Sequence, residues 1–93
     1  MQFEFDNTKN QSNQEKHMLD FDWLDDGFDW DSLIFSIDNR QDYGEERFIG
    51  FGYFAGRLTC LVYTERDDVI RPISWRKANS REVKEYAKEV KGE

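Results

Sequence analysis

From Glu46 to Ala78 the chain reads ERFIGFGYFAGRLTCLVYTERDDVIRPISWRKA, and no other stretch restricts the fold as much. Apolar and polar side chains alternate along it, the two-residue period of a half-buried strand. Turn residues interrupt the alternation at Ala55-Gly56 and at Asp67-Asp68. The spacing predicts an up-down-up meander of three strands, Arg47–Phe54, Arg57–Arg66 and Val69–Arg76, joined by tight hairpins. In the first strand Arg47, Ile49, Phe51 and Tyr53 share one face, and Phe48, Gly50, Gly52 and Phe54 share the other. Two glycines on one face point to a bulge or to the close approach of another backbone. Pro72 has no N–H to give a ladder, so the third strand is expected at a sheet edge or bulged there.

The flanks supply helices. Phe3-Glu4-Phe5 alternates like a short strand. Asp6 or Asn7 can then cap a helix from Thr8 to Lys16. That helix is polar almost all round, and a segment so short is marginal alone, so tertiary contacts must hold it. Leu19 to Trp30 interleaves aspartates with aromatics, LDFDWLDDGFDW, and Asp25-Asp26-Gly27 within it is a turn signal. Asp29 has the character of an N-cap for a short helix, Trp30 to Ser36, with Leu33, Ile34 and Ile37 at helical spacing. Asp38 to Glu45 is polar and expected to be a loop. Asn79 to Lys91 is the clearest helix: Asn79 and Glu82 have capping-box spacing, and Val83, Tyr86, Ala87 and Val90 form one apolar stripe. The order β-α-α-β-β-β-α predicts an α+β fold, a small mostly antiparallel sheet with two N-terminal helices and one C-terminal helix, over a single domain spanning 1–93.

Composition bounds the chemistry. The net charge is −7, but residues 1–46 hold three Lys/Arg against thirteen Asp/Glu, whereas residues 47–93 hold ten against seven. The meander can therefore carry a local basic patch on an acidic protein. Cys60 is the only cysteine, so no intrachain disulfide forms, which suits a reducing cytosol and a cytoplasmic location. The first residues, MQFEFDNTKN, have neither the basic nor the apolar region of a secretory leader, and no apolar run approaches ~18 residues, so no membrane association is expected. Calcium-loop spacing fails whether it is started at Asp20 or at Asp22. Phosphate-loop and dinucleotide glycine patterns are missing. One His and one Cys cannot build an ordinary zinc site. A Cys60–His17 nucleophilic pair is formally available, but a mid-strand cysteine is ordinarily inert packing. No metal or cofactor is expected.

What remains is a set of cations with a few acid-base groups. Arginine grips phosphate through a planar fork and never deprotonates. RNA can be cleaved without metal when a protein aligns the 2′-hydroxyl, stabilises charge and moves protons. Glu46-Arg47, Glu65-Arg66 and Arg76-Lys77 mark strand ends, where such groups could gather. Arginines at strand ends equally solvate a sheet and pair with aspartates. In a meander the end of the second strand lies beside the start of the third, so Arg66 and Arg76 need not meet. His17 suits either a helix C-terminus, favoured by the dipole, or a proton shuttle. Tyr86 on an apolar stripe fits a core, and Trp23, Trp30 and Trp75 fit a core or an interface better than base stacking.

The ordered set of residues resembles a family. Phe5-Asp6, Lys9, Asn13, Lys16-His17 and Phe21 open it; Glu46-Arg47, Gly50, Gly56-Arg57-Leu58 and Thr64-Glu65-Arg66 continue it; Ile70-Arg71, Ile73-Ser74, Arg76, Ala78, Glu82 and Tyr86 close it. In that order and spacing the chain resembles the BrnT toxins, ribonucleases of bacterial type II toxin–antitoxin pairs with a RelE-like fold. The resemblance implies RNA cleavage, arrest of translation, and neutralisation by a DNA-binding antitoxin of ribbon-helix-helix type, through which alone DNA is reached. It implies Arg47, Arg66 and Arg76 as phosphate ligands, with Glu46, Lys16 and His17 as acid-base partners. The chain departs from the family at Met18, where glycine is usual, at Pro72 and Trp75, and in its acidity. A rival expectation is a non-catalytic module on the same fold, whose acidic-aromatic Asp20–Asp31 segment docks a basic partner or imitates nucleic acid.

Overall fold

The computed structural model describes residues 2–40, 42 and 44–92. Its elements are β1 (Gln2–Phe3), α1 (Asn7–His17), a 3-10 helix (Phe21–Leu24), β2 (Phe28–Asp38), β3 (Arg47–Phe54), β4 (Arg57–Arg66), β5 (Val69–Lys77) and α2 (Ser80–Lys91). The strands form one mixed five-stranded sheet in the order β1-β5-β4-β3-β2. β1 runs parallel to β5, and the other neighbours are antiparallel. None of the described helices is long and apolar enough to cross a membrane.

The meander forms as its alternation requires. Ala55 and Gly56 have φ of 50° and 76°, and Asp67 and Asp68 have φ of 52° and 65°. Both hairpins thus turn through two left-handed residues, the conformation whose twist matches the flanking strands. Pro72 sits at a bulge: Tyr63 pairs with Pro72 and Val62 with Ser74, leaving Ile73 as the extra residue. β1 covers only the beginning of β5, at Val69 and Ile70. Farther along, the outer side of β5 faces α1.

One predicted helix is a strand. Trp30–Ser36, expected to be helical behind an Asp29 cap, belongs to β2, so the described residues form five strands and two α-helices. Leu33, Ile34 and Ile37 satisfy a helical period, but the register with β3 is irregular between Asp29 and Ile34, and that irregularity hides the two-residue period. Packing decides the outcome. A Cβ at Gly50 would lie 2.7 Å from Leu33 Cδ1, and one at Gly52 would lie 2.6 Å from Phe28 Cζ. The paired glycines are recesses for side chains of β2; they do not mark the approach of a backbone.

The core lies on the face that carries α1 and the 3-10 helix. Leu19, Phe21, Leu24, Phe28, Leu61, Tyr63, Ile70 and Trp75 are buried there together. Leu19, Phe21, Leu24 and Phe28 of the acidic-aromatic segment are therefore structural, Trp23 stays partly exposed against the Phe54 ring, and the segment's aspartates other than Asp20 lie in solvent. Trp75 is fully buried; its indole N–H donates to Thr59 Oγ1, whose hydroxyl donates to the Gly52 carbonyl. α2 lies on the opposite face and buries no residue completely. Its capping box forms as expected, and its Tyr86 hydroxyl donates to the Ser32 carbonyl.

Candidate nucleic-acid interface

α1 carries no apolar stripe, yet its place beside β5 is closely determined. Asp6 caps it, accepting from Thr8 N at 2.7 Å. Two buried asparagines then tie it down. Asn10 Oδ1 accepts from Phe21 N, and Asn10 Nδ2 donates to Asp20 Oδ1. Asn13 Oδ1 accepts from Trp75 N, while Asn13 Nδ2 donates to the carbonyls of Trp75 and Leu19, each at 2.9 Å. The Asn13 amide thus serves β5 as a neighbouring strand would, satisfying backbone groups beyond the reach of β1.

A trough follows this seam. Its largest part, about 430 Å³, is lined by Asp6, Lys9, Asn13, Lys16, His17 and Ser74 among others. Lys16 and His17 also line a depression with Met18, Arg76 and Lys77. Asp6, Lys9 and Ile73 also line one with Arg47, Thr64, Arg71, Glu4 and Glu45. The shared residues set the three side by side along the seam. The cations Arg76, Lys77, Lys16, Lys9, Arg71 and Arg47, with His17, outweigh Glu4, Asp6 and Glu45 along it. Asp6 is already engaged as the cap, and the Glu4–Arg71 pair is exposed and 3.9 Å apart, a contact of small energetic weight. An acidic protein thus presents a positive track, as needed to follow a nucleic-acid backbone.

Arg76 is held in place by a two-pronged ion pair. Its Nη1 and Nη2 each donate to Glu82 at 2.8 Å, and Nη1 also reaches the Lys77 carbonyl. The hydrogen bonds to Glu82 raise the Arg76 pKa, and those from Arg76 hold the Glu82 carboxyl below its ordinary value. The pair leaves Nε–H and one Nη2 hydrogen for another acceptor. Cys60, on the strand beside Arg76, is pushed up to about 11 by burial, which makes it packing rather than a nucleophile.

The residues singled out from sequence divide between two locations. Lys16, His17 and Arg76 share one depression, although they are far apart in the chain. Arg47 lies in the same trough at its other end, beside Thr64 and Arg71. Arg66 lies opposite Val69 at the hairpin tip, and Arg76 lies opposite Cys60. That separates them by about 20 Å along β4 at ~3.3 Å per residue. Glu46 is exposed before β3, and Glu45 rather than Glu46 lines the trough. Lys9 and Arg71 were not assigned a site role from sequence. A signal existed for Lys9: Lys9, Asn13 and Lys16 recur at helical spacing on one face of α1. Arg71 offered none beyond its place in a strand rich in arginine.

The family model for BrnT, ribonuclease toxins of type II toxin–antitoxin systems, matches residues 5–82. The matched span includes every trough residue named above except Glu4. No curated protein matches the chain.

Proposed function

The chain belongs to the BrnT family of ribonuclease toxins from type II toxin–antitoxin systems, and from that premise we propose that it cleaves RNA in the trough along β5, as a single toxin domain over residues 1–93. The observation that carries this is the meeting of Lys16, His17 and Arg76 in one depression, with Lys9, Arg71 and Arg47 lining the depressions that adjoin it. The cations follow the phosphates of a single strand. The 2′-hydroxyl of one ribose attacks the adjacent phosphorus, the bond to the 5′-oxygen breaks, and a 2′,3′-cyclic phosphate and a 5′-hydroxyl result. His17 and Lys16 are the groups placed to take the first proton and return one to the leaving oxygen. Arg76, oriented by Glu82, neutralises charge on the phosphate as it develops. Arg47 and Arg71 hold the strand farther along. Arg66 and Glu46 stand off this path. The reaction as written uses no metal. Its consequence is inhibition of translation, relieved by a ribbon-helix-helix antitoxin that alone contacts DNA.

The test is cleavage of a defined single-stranded RNA with EDTA present, with end-group analysis of the products. Cyclic phosphate ends are expected, and His17→Ala should lower the rate by about 10²–10⁴. Arg76→Ala and Arg47→Ala should weaken cleavage more than Arg66→Ala does. Equal losses in all the arginine variants, or none in His17→Ala and Lys16→Ala, would remove the trough as the site.

A further inference from the structure

We infer that the outer edge of β2 receives an extended segment of a protein partner, in which Lys or Arg alternates with apolar residues, as an added strand. The choice of a protein occupant rests on the antitoxin proposal; the chemistry of the occupant comes from the surface.

β2 ends the strand order, and no described strand pairs with its outer side. From Ile34 to Asp38 it is regular, pairing residue for residue with Phe51 to Arg47 of β3. Its outward N–H and C=O groups there form a template for another chain. Two usual defences of an edge are missing from this stretch: Leu33-Ile34-Phe35-Ser36-Ile37 contains no charge and no proline, and the register irregularity of β2 lies before Ile34. Phe35 and Ile37 are 58% and 54% exposed, on the face where Phe35 meets the edge of Phe48.

The other face sets the charge of the occupant. Ile34, Ser36, Ile49 and Phe51 floor a cleft of about 280 Å³, and Glu85, Tyr86 and Glu89 of α2 wall it. Tyr86 anchors that part of α2 over β2 through the Ser32 carbonyl. Glu82 is taken by Arg76, which leaves Glu85 and Glu89 as the exposed carboxylates of the wall. Side chains of an added strand alternate between faces. One set therefore meets Glu85 and Glu89, and the other lies beside Phe35 and Ile37. Complementarity then calls for cations in the first set and apolar groups in the second. A second copy of this chain fits poorly, because two-fold pairing of β2 brings the acidic walls of both copies together.

The test uses the ¹⁵N-labelled chain and two synthetic peptides of about ten residues, one alternating Lys and Val, the other Glu and Val. The Lys peptide should bind about tenfold or more tightly than the Glu peptide, the scale expected of complementary charge. It should also slow exchange of outward-facing amides between Ile34 and Asp38. The double variant Glu85→Lys/Glu89→Lys should reverse the preference and leave RNA cleavage unchanged. Equal binding of the two peptides, perturbations confined to Asp20–Asp31, or a dimer formed through β2 would each overturn the inference. Because cleavage is measured separately, lost peptide binding with intact cleavage sinks this inference alone. Peptide binding without cleavage supports it and sinks the ribonuclease proposal instead.

Discussion

Truncating Asn13 to alanine should cost more stability than truncating any other side chain of α1. Its side chain is buried and makes three hydrogen bonds, one from Trp75 N and two to the carbonyls of Trp75 and Leu19. Asn13→Ala removes all of them and leaves those backbone groups without the partner they have now. At ~1 kcal/mol per bond, with more where a buried group stays unsatisfied, the loss is about 3–4 kcal/mol. A chain of this size has a stability of only about 5–14 kcal/mol. The melting temperature should fall by about 12–30 °C at ~4–8 °C per kcal/mol. Urea unfolding should show a lower midpoint with an unchanged slope. Asn13→Asp makes a sharper control. It keeps the acceptor for Trp75 N–H but aims a carboxylate at two carbonyls, so the folded state raises its pKa above the unfolded ~3.9. The deficit is complete above the folded pKa and shrinks as pH falls through it, when a protonated oxygen can again donate. A loss below ~1 kcal/mol in Asn13→Ala, or no recovery of Asn13→Asp in acid, would refute the view that this amide holds α1 to β5.

The remaining predictions are brief. Met18 closes α1 at φ 61° and is 77% exposed, so Met18→Gly relieves a left-handed side chain without losing packing. A net gain of ~0.5–1 kcal/mol is expected, and an unchanged or lower melting temperature would contradict it. The Glu82 carboxyl is held below its ordinary value by Arg76. Its contribution is present above the unfolded Glu pKa of ~4.3 and is lost as pH falls through the lower folded value. Stability-against-pH curves of Glu82→Gln should therefore be flatter across that acid window than those of the parent chain. Burial holds Cys60 as a thiol up to about 11, so a thiol reagent at mildly alkaline pH should label it only as fast as α2 lifts from the sheet. Rapid labelling of the native protein would show that α2 does not close over Cys60.

The parts of the fold that were legible in sequence are those set by neighbours in the chain. The meander, both hairpins, the Pro72 bulge and the capping box of α2 each depend on a few adjacent residues, and each formed. β2 was misassigned because the register break between Asp29 and Ile34 hides its alternation. Its partners in the decision, Gly50 and Gly52, lie on another strand. α1 was legible as a helix, but its attachment was not, since hydrophobic periodicity is blind to a helix held by asparagine amides. The trough was hidden for a related reason. The arginines stood out, but only the placement of α1 along β5 sets Lys16 and His17 beside Arg76. The same topology leaves Arg66 at a distant hairpin tip.

The absence of any fully buried residue from α2 has a consequence for how the molecule breathes. The ties described for this helix are the fork between Arg76 and Glu82, the Tyr86 hydroxyl and the Tyr86–Tyr53 ring contact, over the face of β4 that carries the buried Leu58 and Cys60. Lifting it would uncover only that part of the sheet, so urea should promote the event far less than it promotes global unfolding, because denaturant acts in proportion to area exposed. α2 therefore forms a separate unit of opening, whose amides should exchange through a low-energy excursion of weak urea dependence while those of β4 wait for global unfolding. In each excursion Arg76 parts from Glu82, and its whole guanidinium is momentarily offered to whatever anion occupies the trough.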